Sequence, residues 1–205
     1  RGLQGNTNSS GKIEWLTSAI KAALLSMDIT TGREKYLAYA QKAAAILIKL
    51  YKNNQLSDVN RAYIALALLE LYQVTEEKRY LNIADDIRQD FQNAEMTPDF
   101  IRNAAIASVL AKSAPISKNP TELKEAYNWL FKGSLSGMID SGVNAGHFVD
   151  PYTQYLENRY RLTDFVYEVY KATPDDNLNK HKIRQALIQM GRAVFEQFQE
   201  NKGIQ

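Results

Sequence analysis

The chain has 205 residues, of which 45% are hydrophobic and 23% are charged, and its formal net charge is +2. This composition is ordinary for a soluble globular chain, so charge gives no argument for nucleic acid or an anionic membrane as a partner. The chain has no cysteine, which excludes disulfides, thiol catalysis and cysteine-ligated zinc. No apolar run reaches the ~18 residues that a membrane span needs.

Helical periodicity dominates the chain after its first eleven residues. Residues 1–11 are polar and rich in Gly, Asn and Ser, which predicts a flexible lead-in. Because no alternation of period two persists after it, the fold class is predicted to be all-α. Eight helices are predicted, over 12–27, 34–52, 57–73, 77–93, 98–113, 121–132, 152–172 and 177–201.

The clearest pair of helices lies in residues 60–91. Its first half carries an apolar stripe at helical spacing, formed by Ala65, Leu68, Leu69 and Tyr72. Its second half carries a matching stripe, formed by Leu81, Ala84, Ile87 and Phe91. Neither helix can bury its stripe alone, so the two are expected to pack as a hairpin and to pack on further helices.

Sequences similar to parts of this hairpin recur elsewhere in the chain. TGREKYLAYA at 31–40 matches TEEKRYLNIA at 75–84, an offset of 44 residues, and YEVYKAT at 167–173 matches LELYQVT at 69–75. Two helices per unit with a period in the forties indicate a helical array or an α/α toroid. We predict four tandem antiparallel helical hairpins in an open or partial α/α toroid, with residues 12–205 forming a single domain.

One connection is much longer than the others and is rich in glycine. Long loops in compact helical domains are usually functional or disordered, so residues 133–151 are the predicted site region. Tyr and Trp side chains can stack on sugar rings, although the tyrosines that recur with the repeat are better explained as packing residues. The candidate ligand-binding residues in and beside this loop are Trp129, Asn144, His147, Tyr152 and Tyr155.

Three carboxylates are expected at the same end of the array as this loop. Asp140 and Asp150 lie in the loop, and Asp58 follows the connection 53–57, which ends on that side. No metal and no cofactor are predicted, since the two histidines lack ligand spacing. The acidic run Asp85–Asp90 could suggest magnesium, but a solvated helix face explains it better.

Several phrases resemble the hairpins of the six-hairpin glycosidases, and most of all the bacterial and fungal endo-α-1,6-mannanase family. The phrases are ALLSMDITTGREKYLAYA, LLELYQVTEEKRYLNIA and VYEVYKATPDD. Five further segments resemble other parts of the sequence pattern of that family: Asn103-Ala104-Ala105, Asn128-Trp129-Leu130, Asp140-Ser141-Gly142, Tyr152–Tyr155 and Tyr170–Thr173. The resemblance spans about residues 15–200.

The resemblance implies a glycoside hydrolase fold, an oligosaccharide or polysaccharide partner, and a secreted or cell-surface location. Two departures stand against a full match. The family closes a ring of about six hairpins, whereas four are counted here, so the ring is expected to be open, truncated or completed by further chain. Its catalytic Asp-Asp pair falls on Val59 and Asn60, with Asp58 one place earlier, so no catalytic residue is carried over.

Two functions are therefore expected, from different classes. The first is a glycan-processing domain in which Asp140 or Asp150 acts as acid or base opposite Asp58, or a non-catalytic glycan binder derived from such an enzyme. Whether the chain is an enzyme is left open. The second is a helical-repeat scaffold for protein–protein interaction. Convergence of the three carboxylates around a pocket would favour the enzyme.

Overall fold

The structure is a computed structural model of the chain and describes residues 7–29, 33–141, 145–150, 153 and 155–201. Within these ranges the predicted all-α class is confirmed, with eight α-helices and no β-strand beyond one isolated bridge. The helices are α1 (Thr7–Ile29), α2 (Arg33–Asn53), α3 (Asp58–Thr75), α4 (Lys78–Gln92), α5 (Phe100–Ser117), α6 (Pro120–Asn128), α7 (Leu156–Ala172) and α8 (Leu178–Asn201). No helix in the described part is long and apolar enough to cross a bilayer.

The chain divides into two compact units, residues 1–93 and residues 94–205, here called the N-terminal unit and the C-terminal unit. Each unit holds two of the four predicted hairpins. In the N-terminal unit α1 pairs with α2, and α3 pairs with α4. In the C-terminal unit α5 pairs with α6, and α7 pairs with α8.

The central helix of the N-terminal unit is α3, which packs against α1, α2 and α4. Its residues from Ala62 to Leu69 are all buried, because it has neighbours on several sides rather than one. Ser57 caps its start by accepting a hydrogen bond from the Asn60 amide at 3.3 Å. The Asn60 side chain also accepts from Ser10 Oγ at 3.0 Å. This bond ties the beginning of α1 to α3, and α1 starts at Thr7 rather than at residue 12.

The central helix of the C-terminal unit is α5, which packs against α6 and α7. Asp99 caps its start, accepting from the Arg102 amide at 3.0 Å. The predicted end at residue 113 is wrong, since α5 continues through Pro115 to Ser117 and stops at Lys118, whose φ is +56°. A proline in the last turn removes one hydrogen bond without ending the helix at once.

Charged side chains also connect the helices of this unit. Glu168 on α7 is buried, and its two carboxylate oxygens contact Lys112 on α5 at 3.3 Å and Lys171 at 2.9 Å. Removing one partner of a buried ion pair is far more destabilising than removing an exposed one. The pair Lys112–Glu168 therefore fixes α7 on α5.

Candidate functional site

The glycine-rich connection between α6 and α7 is more regular than its sequence predicts. After α6 the chain forms a π-helical turn, Trp129–Ser134, and then a 3₁₀ turn, Leu135–Gly137. The buried side chain of Asn103 on α5 holds the π-helical turn in place. Its amide nitrogen donates to the Gly133 carbonyl at 2.8 Å and to the Thr97 carbonyl at 2.6 Å. The start of the site is thereby anchored to the central helix of its unit.

The chain then forms a short antiparallel ribbon. Ile139 N–H donates to the His147 carbonyl at 2.8 Å, Gly146 N–H to the Ile139 carbonyl at 2.9 Å, and Val149 N–H to the Gly137 carbonyl at 3.0 Å. Met138 and Phe148 form the bridge between the two sides. This pairing gives hydrogen-bond partners to backbone N–H and C=O groups that would bond to water in an irregular loop.

Two glycines let the ribbon approach its neighbours closely. A Cβ on Gly137 would lie 2.2 Å from the Phe100 ring, and a Cβ on Gly146 would lie 2.2 Å from the Gln189 carbonyl oxygen on α8. Gln189 also donates from its side-chain nitrogen to the Asp140 carbonyl at 3.0 Å. The ribbon is therefore seated between the beginning of α5 and the middle of α8.

A buried cation holds the other side of the ribbon. Arg159 on α7 is 4% exposed, and its guanidinium lies 2.9 Å from His147 Nδ1 and 3.3 Å from the Ala193 carbonyl. Burial lowers the pKa of Arg159 from its ordinary value. Because a guanidinium only donates, His147 accepts through Nδ1, and a neutral ring then carries its proton on Nε2.

Beside the ribbon, a cavity of about 550 Å³ opens between residues 131–140 and the first half of α8. Its apolar lining is formed by Phe131, Leu135, Met138 and Ala186. Its polar lining is formed by Ser136, Asp140, His181, Lys182, Gln185 and Gln189. The cavity thus combines an apolar wall with amide, carboxylate and cationic groups.

Of the three predicted carboxylates, Asp140 lines this cavity and the other two lie elsewhere. Asp150 follows the ribbon at its opposite end, where it accepts from Thr153 N–H at 2.8 Å and Thr153 Oγ1 at 2.7 Å. Three residues of ribbon, about 10 Å, separate the two ends. Asp58 is the first residue of α3 in the N-terminal unit, 3.4 Å from the Arg61 guanidinium.

The predicted ligand-binding residues also have different positions. Trp129 is 8% exposed and packs in the core, with the Arg102 guanidinium 6.0 Å from its ring centre. Tyr155 precedes α7 and is 67% exposed, outside the described cavity lining. His147 bonds to Arg159, as described above. Asn144 and Tyr152 lie outside the described residues.

The sequence did not predict most of the polar cavity wall, since none of the predicted site residues lies on α8. A signal existed, since Lys182, Gln185 and Gln189 share one helical face at i, i+3 and i+7. The same spacing is typical of any exposed polar face, however. The contacts of the ribbon with Gln189 are what show which face of α8 borders the cavity.

A metal site is not found in the described residues, where no three metal-binding side chains come together. Comparisons with protein-family models, curated proteins and solved structures return no match for the chain. The resemblance to six-hairpin glycosidases thus rests on the phrases of this sequence alone.

Proposed function

We propose that the C-terminal unit binds an oligosaccharide in the cavity beside the ribbon. The cavity, at about 550 Å³, has the size of known small-ligand sites, which measure roughly 300–1,000 Å³. It is also built on fixed elements, since Asn103 holds one wall and the seated ribbon holds another. A preformed site avoids the entropy cost of ordering a loop on binding.

The chemistry of the walls carries this proposal. A sugar ring offers hydroxyl groups that both donate and accept, and C–H faces that are apolar. The amides of Gln185 and Gln189 offer both donors and acceptors, and the carboxyl group of Asp140 offers acceptors. Phe131 and Leu135 supply an apolar surface against which a ring face can pack. The presence of both kinds of wall in one cavity is the observation on which the proposed function rests.

Binding without hydrolysis fits the position of the carboxylates. Glycoside hydrolysis generally needs two carboxylates, ~5–5.5 Å apart for retention or ~6.5–9.5 Å apart for inversion. Among the described residues that line the cavity, Asp140 is the only carboxylate. Asp150 leaves the ribbon at the other end, bonded to Thr153. The proposal is therefore a glycan-binding domain rather than a hydrolase.

A glycan array followed by calorimetric titration tests this function. Gln185→Ala should weaken binding about fivefold, because a lost hydrogen bond contributes about 1 kcal/mol and 1.4 kcal/mol corresponds to a factor of ten. Gln89→Ala makes the same change at an exposed position on α4 and should leave affinity within about twofold. No binding to any glycan, or equal loss in both variants, would contradict the proposal. Release of shorter sugars from a bound glycan would instead make the chain a hydrolase.

An interaction scaffold is the second candidate, and it rests on a different surface. Leu156, Tyr160 and Tyr167 share one face of α7 and are 40%, 70% and 47% exposed. Tyrosine is enriched in protein interfaces, and contiguous exposed apolar side chains often mark them. The simplest partner is a second copy of the chain. Sedimentation over a concentration range should then show a dimer that Tyr160→Ala abolishes and Gln185→Ala preserves.

A further inference from the structure

A second cavity adjoins the first one on α8. It measures about 370 Å³ and lies where the turn after α7 meets the first turns of α8. His181 lines both cavities, so its imidazole stands at the boundary between them. The polar side chains of the second cavity include Asp176, Asn177 and Arg184. The two cavities thus lie on neighbouring faces of α8, with His181 between them.

We propose that the two cavities are adjoining subsites of one elongated site, which takes an extended sugar chain rather than a single small sugar. This inference rests on the proposed function, which it deepens by naming the length of the ligand. The first cavity, bordered by Asp140, is the proximal subsite, and the second, bordered by Arg184, is the distal subsite. A chain that passes His181 fills both.

The distal subsite differs from the proximal one in its chemistry. Its one tyrosine in the described lining, Tyr170, already contacts other side chains, because Lys180 Nζ lies 4.4 Å from the ring centre and the Tyr167 ring stacks at 6.2 Å. Lys180 is held there by the Thr173 carbonyl at 2.7 Å and by Asp175 at 3.2 Å. A sugar in this subsite is therefore recognised by hydrogen bonds rather than by stacking.

The exposed groups of the distal subsite are suited to hydroxyl groups. Arg184 donates and Asp176 accepts, and Asn177 already uses its side-chain oxygen to accept from the Asn179 amide at 2.9 Å. Donors and acceptors side by side match the mixed hydrogen bonding of neighbouring sugar hydroxyls. The proximal subsite, with Phe131 and Leu135, provides the apolar contact that the distal one lacks.

The division into subsites predicts how affinity depends on chain length. A disaccharide should occupy the proximal subsite, where apolar and polar contacts combine, and longer chains should gain the distal contacts. Arg184→Ala should then leave the affinity for a disaccharide unchanged and lower the affinity for longer sugar chains about tenfold. Gln185→Ala should lower the affinity for sugar chains of every length. His181→Ala should lower the affinity mainly for chains that occupy both subsites.

Calorimetric titration with di- to hexasaccharides tests the inference, using manno-oligosaccharides and cello-oligosaccharides as the two probe series. Circular dichroism verifies that each variant keeps its helices. Rising affinity with length and a loss in Arg184→Ala confined to longer chains would support an elongated site. If affinity is independent of length while Gln185→Ala still weakens binding, the inference is wrong and the proposed function stands. If no length of either series binds, the inference is wrong, and the glycan array decides the proposed function separately.

Discussion

Replacing Gly146 by alanine perturbs the contact that seats the ribbon on α8. Gly146 has a φ of +87°, in the left-handed region, and an added Cβ would lie 2.2 Å from the Gln189 carbonyl oxygen. The left-handed conformation costs an alanine roughly 1–2 kcal/mol. Overlap with a backbone atom, which cannot rotate away, adds about 1–3 kcal/mol. We therefore expect Gly146→Ala to lower the free energy of unfolding by about 2–5 kcal/mol.

Urea unfolding monitored by circular dichroism measures this loss. The matched control is Gly191→Ala on α8, where nothing lies within 4 Å of an added Cβ. Since alanine is the better helix former, the control should gain about 0.5–1 kcal/mol. If strain is relieved by detachment of the ribbon alone, amide exchange of Ile139 and of residue 146 should rise in the variant. Equal stability of the two variants, with unchanged exchange, would refute the seating of the ribbon on α8.

Three further predictions concern the interior of the fold. Asn103→Ala should lower the free energy of unfolding by about 2–4 kcal/mol, measured in urea, because two carbonyl groups lose their donor. Glu168→Ala removes the buried carboxylate that two lysines contact and should lower the free energy of unfolding by about 3–5 kcal/mol. Lys171→Ala, at the more exposed of the two lysines, should lower it by less than about 1 kcal/mol. Burial raises the pKa of Tyr80 above its ordinary value, with the Arg79 guanidinium opposing the shift, so the folded state keeps this proton where the unfolded chain loses it. The contribution of Tyr80 to the free energy of unfolding should therefore be constant below about pH 10 and fall above it. Urea titrations at different pH values should show a smaller fall in Tyr80→Phe than in the unchanged protein.

The helical architecture could be predicted because its signals are local. The apolar stripes of residues 60–91 have helical spacing, and the structure places α3 and α4 there as a pair. The helix predicted from residue 98 begins at Phe100, directly after its cap Asp99. The early start of α1 has a tertiary cause. Ser10 bonds to Asn60 across 50 residues, and no property of the first residues alone indicates that contact.

The candidate site was predicted only in part, because its walls come from distant parts of the chain. The loop itself was recognisable from its glycines, and Asp140 does line a cavity. The ribbon was not recognisable, since it consists of a few residues paired by backbone groups that every sequence has. Trp129 illustrates a second limit, because an aromatic residue beside a loop can equally be a core residue, and here it is buried.

Chemical-shift mapping by NMR tests the central claim most directly, since it locates a bound glycan without assuming which residues bind it. On titration with a glycan selected from the array, amide shifts should concentrate in residues 131–140 and in the first half of α8, from His181 to Gln189. Residues of α3 and α4 should stay unchanged and serve as the internal control. Shifts confined to the exposed face of α7 around Tyr160, or spread evenly over both units, would contradict the account.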